Sequence, residues 1–424
     1  MSGAAPTVRA AVCLAVIAVA ALIVPVGLAA VAAVVLLAAV IGDAWAVRRA
    51  PSLVRRAPQR LSRGVGAPLE VELAEAQVTP RTVLLRQPAT GALAISGGRG
   101  RDRLAAEVVA RRRGRHRLPA VASASLGPLG LARVGHPAGT AAHEVVVYPD
   151  LVNARSLLGR RARERTGHPG GLARGPLGLG TDLESVREYG PDDDIRQLNW
   201  RATARSGRPM SNQYRIERDR EVTCLVDCGR LMLAPLQDRT MLDCALDAVA
   251  VIALAADALG DRCGALAVDG EIRREIPPGR RSGQQVIDGL FDLQAMAVDT
   301  DFERAFVRVA RSRRGLVAVF TDLVDEAAAR SLVRGIPMLA RRHTVLVACP
   351  RDPVLADAVT AGQDPEASDL ERAAGIVAAD VLETRGLATL ALRRAGALVL
   401  EAPTAELAAR CLDGYLGLKR RGRA

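Results

Sequence analysis

The feature that most constrains this sequence is an uninterrupted apolar run near its beginning. Residues 10 to 41 contain no charged side chain. A straight helix over that run would be about 48 Å long, whereas the hydrocarbon core of a bilayer is about 30 Å thick. Pro25 and Gly27 lie near the middle of the run and favour a break there. We therefore predict a transmembrane helical hairpin within residues 1–49, with a single tilted helix as the alternative.

Arginines follow the second predicted span closely. They are Arg48, Arg49, Arg55, Arg56, Arg60 and Arg63. Because basic residues concentrate on the cytoplasmic side of membrane helices, this cluster predicts a protein of the cell membrane whose soluble domains lie in the cytoplasm. The same arginines suit a membrane leaflet that contains anionic lipids.

The overall charge and the aromatic content narrow the classes of function. The chain has 58 basic and 46 acidic side chains, a formal net charge of +12. Nucleic-acid binding by base stacking needs aromatic side chains beside basic ones. The whole chain has two Trp, four Tyr and four Phe, so no specific nucleic-acid partner is expected. None of the seven cysteines forms a Cys-x-x-Cys pair, a pattern that fits a reducing compartment.

Residues 50–150 have the pattern of a small all-β domain. Short apolar segments alternate there with turns rich in Gly and Pro, at 69–73, 82–85, 93–95, 104–109 and 145–148. Such spacing predicts a β-sandwich-like domain. Residues 151–220 are predicted to form a connector, and its first part, 151–181, is rich in Arg and Gly and is expected to be flexible.

Residues 221–424 alternate between short apolar runs and amphipathic stretches. Strands are predicted at 222–226, 264–268, 316–320, 344–349 and 397–400. Helices are predicted at 238–259, 281–295, 301–312, 325–338, 366–388 and 403–418. Alternation of this kind is typical of a parallel sheet with helices on both faces, so the predicted fold class is α/β. Gly260 is expected to end the first of these helices.

A densely charged segment precedes the first strand of this α/β region. Six acidic residues lie between Asp182 and Asp194, and Arg196, Trp200 and Arg205 follow. Carboxylates beside guanidinium groups can form charge-assisted hydrogen bonds. The landmarks of the segment are Tyr189, Asp192, Asp193, Arg196, Leu198, Asn199, Trp200, Ala204 and Arg205.

With these landmarks at this spacing, the segment resembles the bacterial family called domain of unknown function 58. Members of that family carry the pattern before a von Willebrand factor A-like domain, which is a Rossmann-like fold with a parallel sheet. Asp192 and Asn199 depart from the Gly and Asp of the family pattern. The resemblance continues to Tyr415 and to residues 418–423 at the end of the chain.

The resemblance also implies a metal-ion-dependent adhesion site at the carboxyl edge of the sheet. Its pattern is Asp-x-Ser-x-Ser after the first strand, then a later Thr and a later Asp. Asp227, Thr300 and Asp322 fit three of these positions, but Gly229 and Leu231 occupy the two Ser positions. Mg²⁺ requires about six oxygen ligands. We therefore predict a degenerate site that binds Mg²⁺ poorly, and no cofactor is expected.

The charged segment is the best candidate for a functional surface. We predict that it acts as an interdomain clasp, as a docking surface for a protein partner, or as both. The residues expected to take part are Tyr189, Asp192, Asp193, Arg196, Asn199, Trp200 and Arg205.

No enzymatic activity is expected, because the chain has no Gly-x-Ser-x-Gly and no His-Glu-x-x-His motif. Similar family members are often encoded beside a MoxR-type AAA+ ATPase, which implies an ATPase partner and a role in assembling or maturing envelope complexes. The leading hypothesis is a membrane-anchored cytoplasmic scaffold or adaptor. The alternatives are a basic protein that binds nucleic acid or anionic lipid, and an unrecognised hydrolase.

Overall fold

The computed structural model describes residues 3–74, 82–137, 139–166, 177–190, 195, 198–215, 219–236, 239–323 and 326–421. They divide into two units, Met1–Val147 and Tyr148–Ala424. The predicted anchor and nearly all of the predicted β domain fall in the first unit. The predicted connector and the predicted α/β region fall in the second.

The first unit begins with a short strand and two apolar helices, which are β1 (Ala4–Pro6), α1 (Val8–Ala20) and α2 (Val26–Ala46). Strands follow as β2 (Leu53–Arg56), β3 (Arg60–Ser62), β4 (Gly66–Leu73), β5 (Thr82–Arg86), β6 (Leu93–Ser96), β7 (Arg99–Arg101), β8 (Arg103–Ala110), β9 (Gly114–Leu118), β10 (Ala122–Leu126), β11 (Ala132–His136) and β12 (His143–Tyr148). The all-β character predicted for residues 50–150 is thus confirmed over the part of that range that the structure describes.

Two antiparallel sheets enclose the core of the first unit. The larger sheet has the order β1-β11-β10-β5-β7-β8-β4-β2, with β6 also paired to β8, and the smaller has the order β3-β12-β9. Both contribute to one buried cluster, the larger through residues such as Val83 and Leu104 and the smaller through Leu118 and Val145. Two sheets that share a core in this way are sandwich-like.

The two apolar helices are attached to the same turn of this unit. Among the described residues, α2 is the one helix long and apolar enough to cross a membrane. Just before α1, Thr7 donates its N–H to the Leu131 carbonyl at 2.9 Å and its hydroxyl to the Gly130 carbonyl at 2.6 Å. Near the end of α2, Asp43 accepts hydrogen bonds from the same turn. The start of α1 and the end of α2 therefore lie on one side, and the helices run in opposite directions.

The break between the helices lies where Pro25 predicted it, because α1 ends at Ala20 and α2 begins at Val26. α1 has 13 residues, which is about 20 Å of helix against a hydrocarbon core of about 30 Å. Two complete membrane crossings remain a prediction for this reason.

Asp43 is a buried carboxylate at the end of the apolar helices. It is 2% exposed. One of its oxygens accepts the N–H of Leu129 at 2.8 Å, and the other accepts the N–H groups of Leu131 and Ala132 at 2.7 and 2.8 Å. These charge-assisted bonds fix α2 to the turn between β10 and β11. Gly127 lies against this carboxylate, since a Cβ added there would be 2.1 Å from the Asp43 Cγ.

The second unit contains elements in the order α3 (Leu151–Thr166), β13 (Leu177–Glu188), α4 (Trp200–Ser206), β14 (Met210–Arg215), β15 (Glu221–Asp227), a 3-10 helix (Arg230–Leu233), β16 (Pro235–Leu236), β17 (Arg239–Thr240), α5 (Met241–Leu259), β18 (Arg262–Val268), β19 (Ile272–Arg280), α6 (Gly283–Leu290), α7 (Phe302–Val309), β20 (Gly315–Phe320), α8 (Glu326–Ala340), β21 (Thr344–Arg351), α9 (Pro353–Gly362), α10 (Asp369–Arg394), β22 (Leu398–Pro403) and α11 (Leu407–Arg420). Every strand predicted for this region has a counterpart, and so has every predicted helix.

The central sheet of the second unit is mixed. Its order is β19-β18-β15-β20-β21-β22. Strands β18, β15, β20, β21 and β22 are parallel, whereas β19 pairs antiparallel with β18. This corrects the prediction of a purely parallel sheet. The missed strand contains Pro277 and Pro278, which resemble a loop in the sequence but are tolerated in a strand at the edge of a sheet.

Apolar layers cover both faces of the central sheet. Helices α5, α6 and α11 contribute to the buried cluster on one face, and α7, α8 and α10 contribute to the cluster on the other. Helix α5 begins with a capping box between Thr240 and Asp243. It ends at Gly260, whose φ of +76° is the left-handed conformation that glycine adopts readily, as the sequence predicted.

Helix α3 corrects the prediction of flexibility for residues 151–166, the first part of the predicted connector, whereas residues 167–176 lie outside the described residues. Its Ala154 is fully buried in the cluster that surrounds α5. Just before the helix, Asp150 donates its N–H to the Asp247 carboxylate at 2.9 Å. Near its end, Arg161 pairs with Asp413 of α11 at 2.6 Å. The first part of the predicted connector is therefore a packed element of the second unit.

We predict that the Asp43 contacts control the stability of the first unit. Asp43→Ala leaves three backbone N–H groups without their acceptor, at a cost of about 1–3 kcal/mol for each buried group. Gly127→Ala should act in the same direction because its new Cβ displaces the carboxylate. Both variants should lower the Tm of the full chain in detergent micelles. Gly42→Ala is the matched control, since no atom lies within 4 Å of its added Cβ, and its Tm should not fall. Equal Tm values for all variants would contradict this role of Asp43.

Candidate functional site

The candidate site lies where the strand order of the central sheet reverses. Strand β15 is flanked by β18, which follows it in the chain, and by β20, which belongs to the other half of the sheet. In open α/β sheets, ligands bind outside the carboxyl ends of the strands at such a point. Asp227 is the last residue of β15, and Thr321 and Asp322 directly follow β20. We call this group of residues the carboxyl edge.

Asp227 is held by donors on both of its oxygens. It is 1% exposed. One oxygen accepts the Thr300 hydroxyl at 2.5 Å and the N–H of Gly229 at 2.8 Å, and the other accepts the Thr321 hydroxyl at 2.6 Å. Burial raises the pKa of the Asp227 carboxyl, and the three donors offset part of that rise. The structure thus brings Asp227 and Thr300 together, as the sequence predicted.

Gly229 occupies its position for a steric reason. A Cβ added there would lie 2.2 Å from the Thr300 hydroxyl oxygen and 2.8 Å from the Val298 carbonyl oxygen. Both distances are far below a normal contact, so no serine fits at this position while Thr300 binds Asp227. The packing of the carboxyl edge therefore excludes the first serine of the metal-site pattern.

Asp322 pairs with a buried arginine that the sequence did not single out. Asp322 and Arg385 are each 2% exposed, and their carboxylate and guanidinium atoms are 3.0 Å apart. Arg385 also donates to the Pro350 carbonyl at 2.7 Å. Burial raises the pKa of Asp322, and the charge of Arg385 acts against that rise. Helix α10 thus places a fixed positive charge beside the second aspartate of the edge.

A third aspartate, also missed in the sequence, lies at this edge. Asp269 directly follows β18 and is fully buried. It accepts the Arg273 guanidinium at 2.5 Å and the N–H of Glu271 at 3.0 Å. Its negative charge contributes to the raised pKa of Asp227. The sequence did contain a signal for Asp269, because the apolar strand β18 is followed directly by this aspartate.

The donors at this edge do not fit a magnesium ion. Asp227 already accepts three hydrogen bonds, and Asp322 is paired with Arg385. The serine positions of the pattern are Gly229 and Leu231. A carboxyl whose pKa is raised also binds metal less readily, because the ligand is the ionised form. At this edge hydroxyl and amide donors hold Asp227, whereas guanidinium groups pair with Asp269 and Asp322.

The Tyr189–Arg205 segment lies in the second unit, between strands β13 and β14. Tyr189 donates its N–H to the Pro209 carbonyl at 2.9 Å. Asn199 caps helix α4, because its side-chain oxygen accepts the N–H of Ala202 at 2.9 Å and its amide nitrogen donates to Asn212 at 2.7 Å. The predicted residues Asp192, Asp193 and Arg196 lie outside the described residues.

Trp200, the first residue of α4, is an exposed side chain. Its exposed fraction is 72%, and that of the nearby Ile195 is 73%. Arg201 and Arg205, on the same short helix, are exposed as well. Asparagine at position 199, where the family pattern has aspartate, serves equally well as a helix N-cap. The structure thus places an exposed aromatic ring beside exposed guanidinium groups on the second unit.

We predict that Arg385→Met destabilises the second unit by about 3–5 kcal/mol, because it leaves the buried Asp322 carboxylate without its cation. The double variant Asp322→Leu/Arg385→Met should lose much less stability than the single variant, since no unpaired charge remains. Arg394→Met is the control, because Arg394 is an exposed arginine of the same helix. Urea unfolding of the full chain in detergent, with hydrogen exchange of peptides from β20, measures these changes. Equal losses for the single and the double variant would argue against the ion pair.

We also predict that millimolar Mg²⁺ does not raise the Tm of the full chain. A ligand present at one hundred times its Kd would add about 2.7 kcal/mol to the stability of the folded state. The measurement is a thermal unfolding series with and without Mg²⁺ at constant ionic strength, on wild type and on Asp227→Ala. A rise in Tm that Asp227→Ala abolishes would show that the edge binds the ion.

The chain is similar to known proteins over less than half of its length. It is 29% identical over 189 residues to the uncharacterized protein Rv1480 of Mycobacterium tuberculosis and, equally, to the uncharacterized protein Mb1516 of Mycobacterium bovis. That alignment covers 42% of this chain and 59% of each relative. Residues 185–374 match the family described as protein of unknown function DUF58. The matched range includes the Tyr189–Arg205 segment and Asp227, Thr300 and Asp322, and over this range the chain is similar to the DUF58 family.

Proposed function

We propose that this protein is a membrane-anchored cytoplasmic scaffold or adaptor that works with a MoxR-type AAA+ ATPase in the assembly or maturation of envelope complexes. In this proposal the second unit is a von Willebrand factor A-like domain whose metal site is degenerate. The proposal gives each unit a separate task. The first unit holds the protein at the membrane, and the second unit presents a docking surface.

The anchor is supported by the apolar surface of α1 and α2. Large apolar side chains are exposed along both helices, among them Val8, Leu14, Val26 and Ile41. A continuous exposed apolar surface of this kind marks contact with a membrane or with another protein. The arginines from Arg48 to Arg63 support a cytoplasmic location, because they follow α2 directly.

The von Willebrand factor A-like interpretation is supported by the place of two aspartates and a threonine. Asp227, Thr300 and Asp322 all contribute to the carboxyl edge at the point where the strand order reverses. A domain that keeps these positions but neutralises them internally binds a partner through other groups. The proposal therefore assigns partner binding to a different surface of the same unit.

The observation that carries the proposal is the exposure of Trp200. Tryptophan and arginine are enriched among the residues that contribute most to protein–protein binding. Trp200 stands at the start of α4, and Arg208 beside this helix is also exposed, where it pairs with Glu188 at 2.8 Å. A tryptophan that is 72% exposed is suited to insert into a pocket of a partner.

We predict that Trp200→Ala weakens capture of the MoxR-type ATPase without changing the fold. Loss of a central tryptophan costs about 2 kcal/mol or more at an interface, which is roughly 30-fold in affinity. Because the side chain is exposed, the Tm should change little. The measurement is co-purification of the tagged full chain with the ATPase encoded in the same genome, after joint expression and detergent extraction, followed by thermal unfolding of each variant.

Leu370→Ala is the matched control for this experiment. Leu370 is an apolar residue of α10 that is 80% exposed, so its removal deletes a similar exposed side chain elsewhere in the unit. This variant should capture the ATPase as wild type does. Equal capture by wild type and Trp200→Ala would overturn the assignment of the docking surface. Absence of capture by wild type would overturn the choice of partner.

A further inference from the structure

An arginine-lined groove lies on the open face of the larger sheet in the first unit. Its volume is about 600 Å³, and strands β5, β7, β10 and β11 form its floor. Four arginines line it, namely Arg86, Arg99, Arg101 and Arg133. All four are exposed, and Leu84 and Ala124 provide an apolar floor between them. We call this feature the arginine groove.

The register of the strands places like charges opposite one another in this groove. Arg86 of β5 lies directly across from Arg99 of β7, and Leu84 lies across from Arg101. Like charges in directly opposed positions of a sheet destabilise it. No acidic residue of the described chain lines the groove, and the described residues offer these arginines no ion pair. Asp102 follows Arg101, but its carboxylate accepts the N–H of Val83 at 2.7 Å.

In the neighbouring part of the same sheet, arginines are paired with acidic side chains. Arg103, on β8, lies 3.1 Å from Glu72 and 3.6 Å from Glu70. Arg56, on β2, lies within 4.0 Å of the same two glutamates. Cross-strand acids thus neutralise the arginines at that end of the sheet. Among the described residues, the arginine groove has no such acid although it lies on the same open face, so its charge is available to an external anion.

The groove is connected directly to the ends of the membrane helices. Arg133 follows Ala132, whose N–H binds Asp43 of α2 at 2.8 Å. On its other side, Arg133 lies across from Ala5 of β1, the strand that leads into α1. Trp45 marks the membrane interface near the end of α2, because its ring is exposed and the Arg48 guanidinium lies 4.3 Å from the ring centroid.

Distances along the strands place the groove within reach of lipid headgroups. Arg133 pairs with Leu126 of β10, at the end of the sheet nearest the helices. Arg86 lies across from Ala122, four residues further along β10, which is about 13 Å at 3.3 Å per residue. The headgroup layer is about 5–7 Å thick on each side of a bilayer. Electrostatic attraction extends about 8 Å further at physiological ionic strength.

We propose that the arginine groove binds the headgroups of anionic phospholipids from the membrane that holds α1 and α2. The guanidinium groups supply the paired donors that match phosphate oxygens, and the apolar floor suits the glycerol backbone beneath the phosphate. The lining that the structure describes contains no aromatic side chain, so it offers no ring on which the bases of a nucleic acid could stack. The groove thus orients the β domain on an anionic leaflet, in addition to the hold that the apolar helices provide.

The test uses the full chain in a neutral detergent and measures Tm against four added probes. They are dioctanoyl phosphatidylglycerol, dioctanoyl phosphatidylcholine, inorganic phosphate and a single-stranded oligo-dT. The phosphatidylglycerol should raise the Tm, and the other three should not. Raising NaCl should weaken the effect, because the attraction is between charges. A rise of equal size with phosphatidylcholine, phosphate or oligo-dT would overturn the proposal.

Arginine variants complete the test. Arg99→Ala/Arg101→Ala should bind phosphatidylglycerol at least roughly tenfold more weakly, and Arg99→Lys/Arg101→Lys should retain part of the binding. Without lipid, the alanine variant should have an unchanged or higher Tm, because the repulsion between Arg86 and Arg99 is removed. The control is Arg111→Ala/Arg112→Ala, which removes two exposed arginines at the far end of β8. If this control loses lipid binding as strongly as the groove variant, the effect is one of net charge and the groove is not a site.

Discussion

A buried cation beside Asp322 determines what the carboxyl edge of the second unit can do. Parallel strands bring Asp227, Asp269 and Asp322 to the same edge of the sheet, where burial makes their negative charges costly. Arg385 supplies a positive charge from helix α10, and Arg273 supplies another to Asp269. A buried ion pair is not required for stability, since apolar side chains of the same volume often serve as well. Its consequence here is chemical, because two of the three carboxylates at this edge, those of Asp269 and Asp322, already have a guanidinium as counter-charge.

The sequence predicted the local parts of this edge and missed the distant one. Asp227 and Asp322 follow apolar strands, and such a pattern can be found within a few residues. Arg385 is separated from Asp322 in the chain by three further elements, α8, β21 and α9, and no local pattern distinguishes it in a chain with many arginines. Gly229 is intermediate between these cases. Its identity was visible as the absence of a serine, but its cause, the Thr300 hydroxyl in the space of its Cβ, depends on a tertiary contact.

The elements of the fold were predicted correctly wherever the hydrophobic periodicity was strong. The predictions that relied on residue composition instead were wrong. The strands of the second unit were found from their apolar runs, but β19 was missed because Pro277 and Pro278 outweighed its position at the edge. Helix α3 was missed because arginine and glycine suggested a flexible connector, although Leu151, Ala154 and Leu158 recur at helical spacing. The segment between β13 and β14 was singled out correctly as unusual, but exposure of Trp200 is a tertiary property that its sequence does not contain.

The effect of an arginine in this chain depends on whether an acidic side chain pairs with it, and the number of arginines does not decide it. A guanidinium that is bonded to a carboxylate adds little net charge to its surroundings, as with Arg262 and Arg280, which together hold the pKa of Asp219 far below its usual range. The formal charge of +12 is therefore concentrated where acids are lacking. In the first unit, the strand register determines where this positive charge is concentrated. A shift of one residue would turn Arg86 and Arg99 to the opposite face of the sheet. Net charge alone was compatible with nucleic acid, lipid or an acidic protein. An arginine groove whose described lining has no aromatic side chain, and which is joined to the ends of the apolar helices, favours a lipid headgroup.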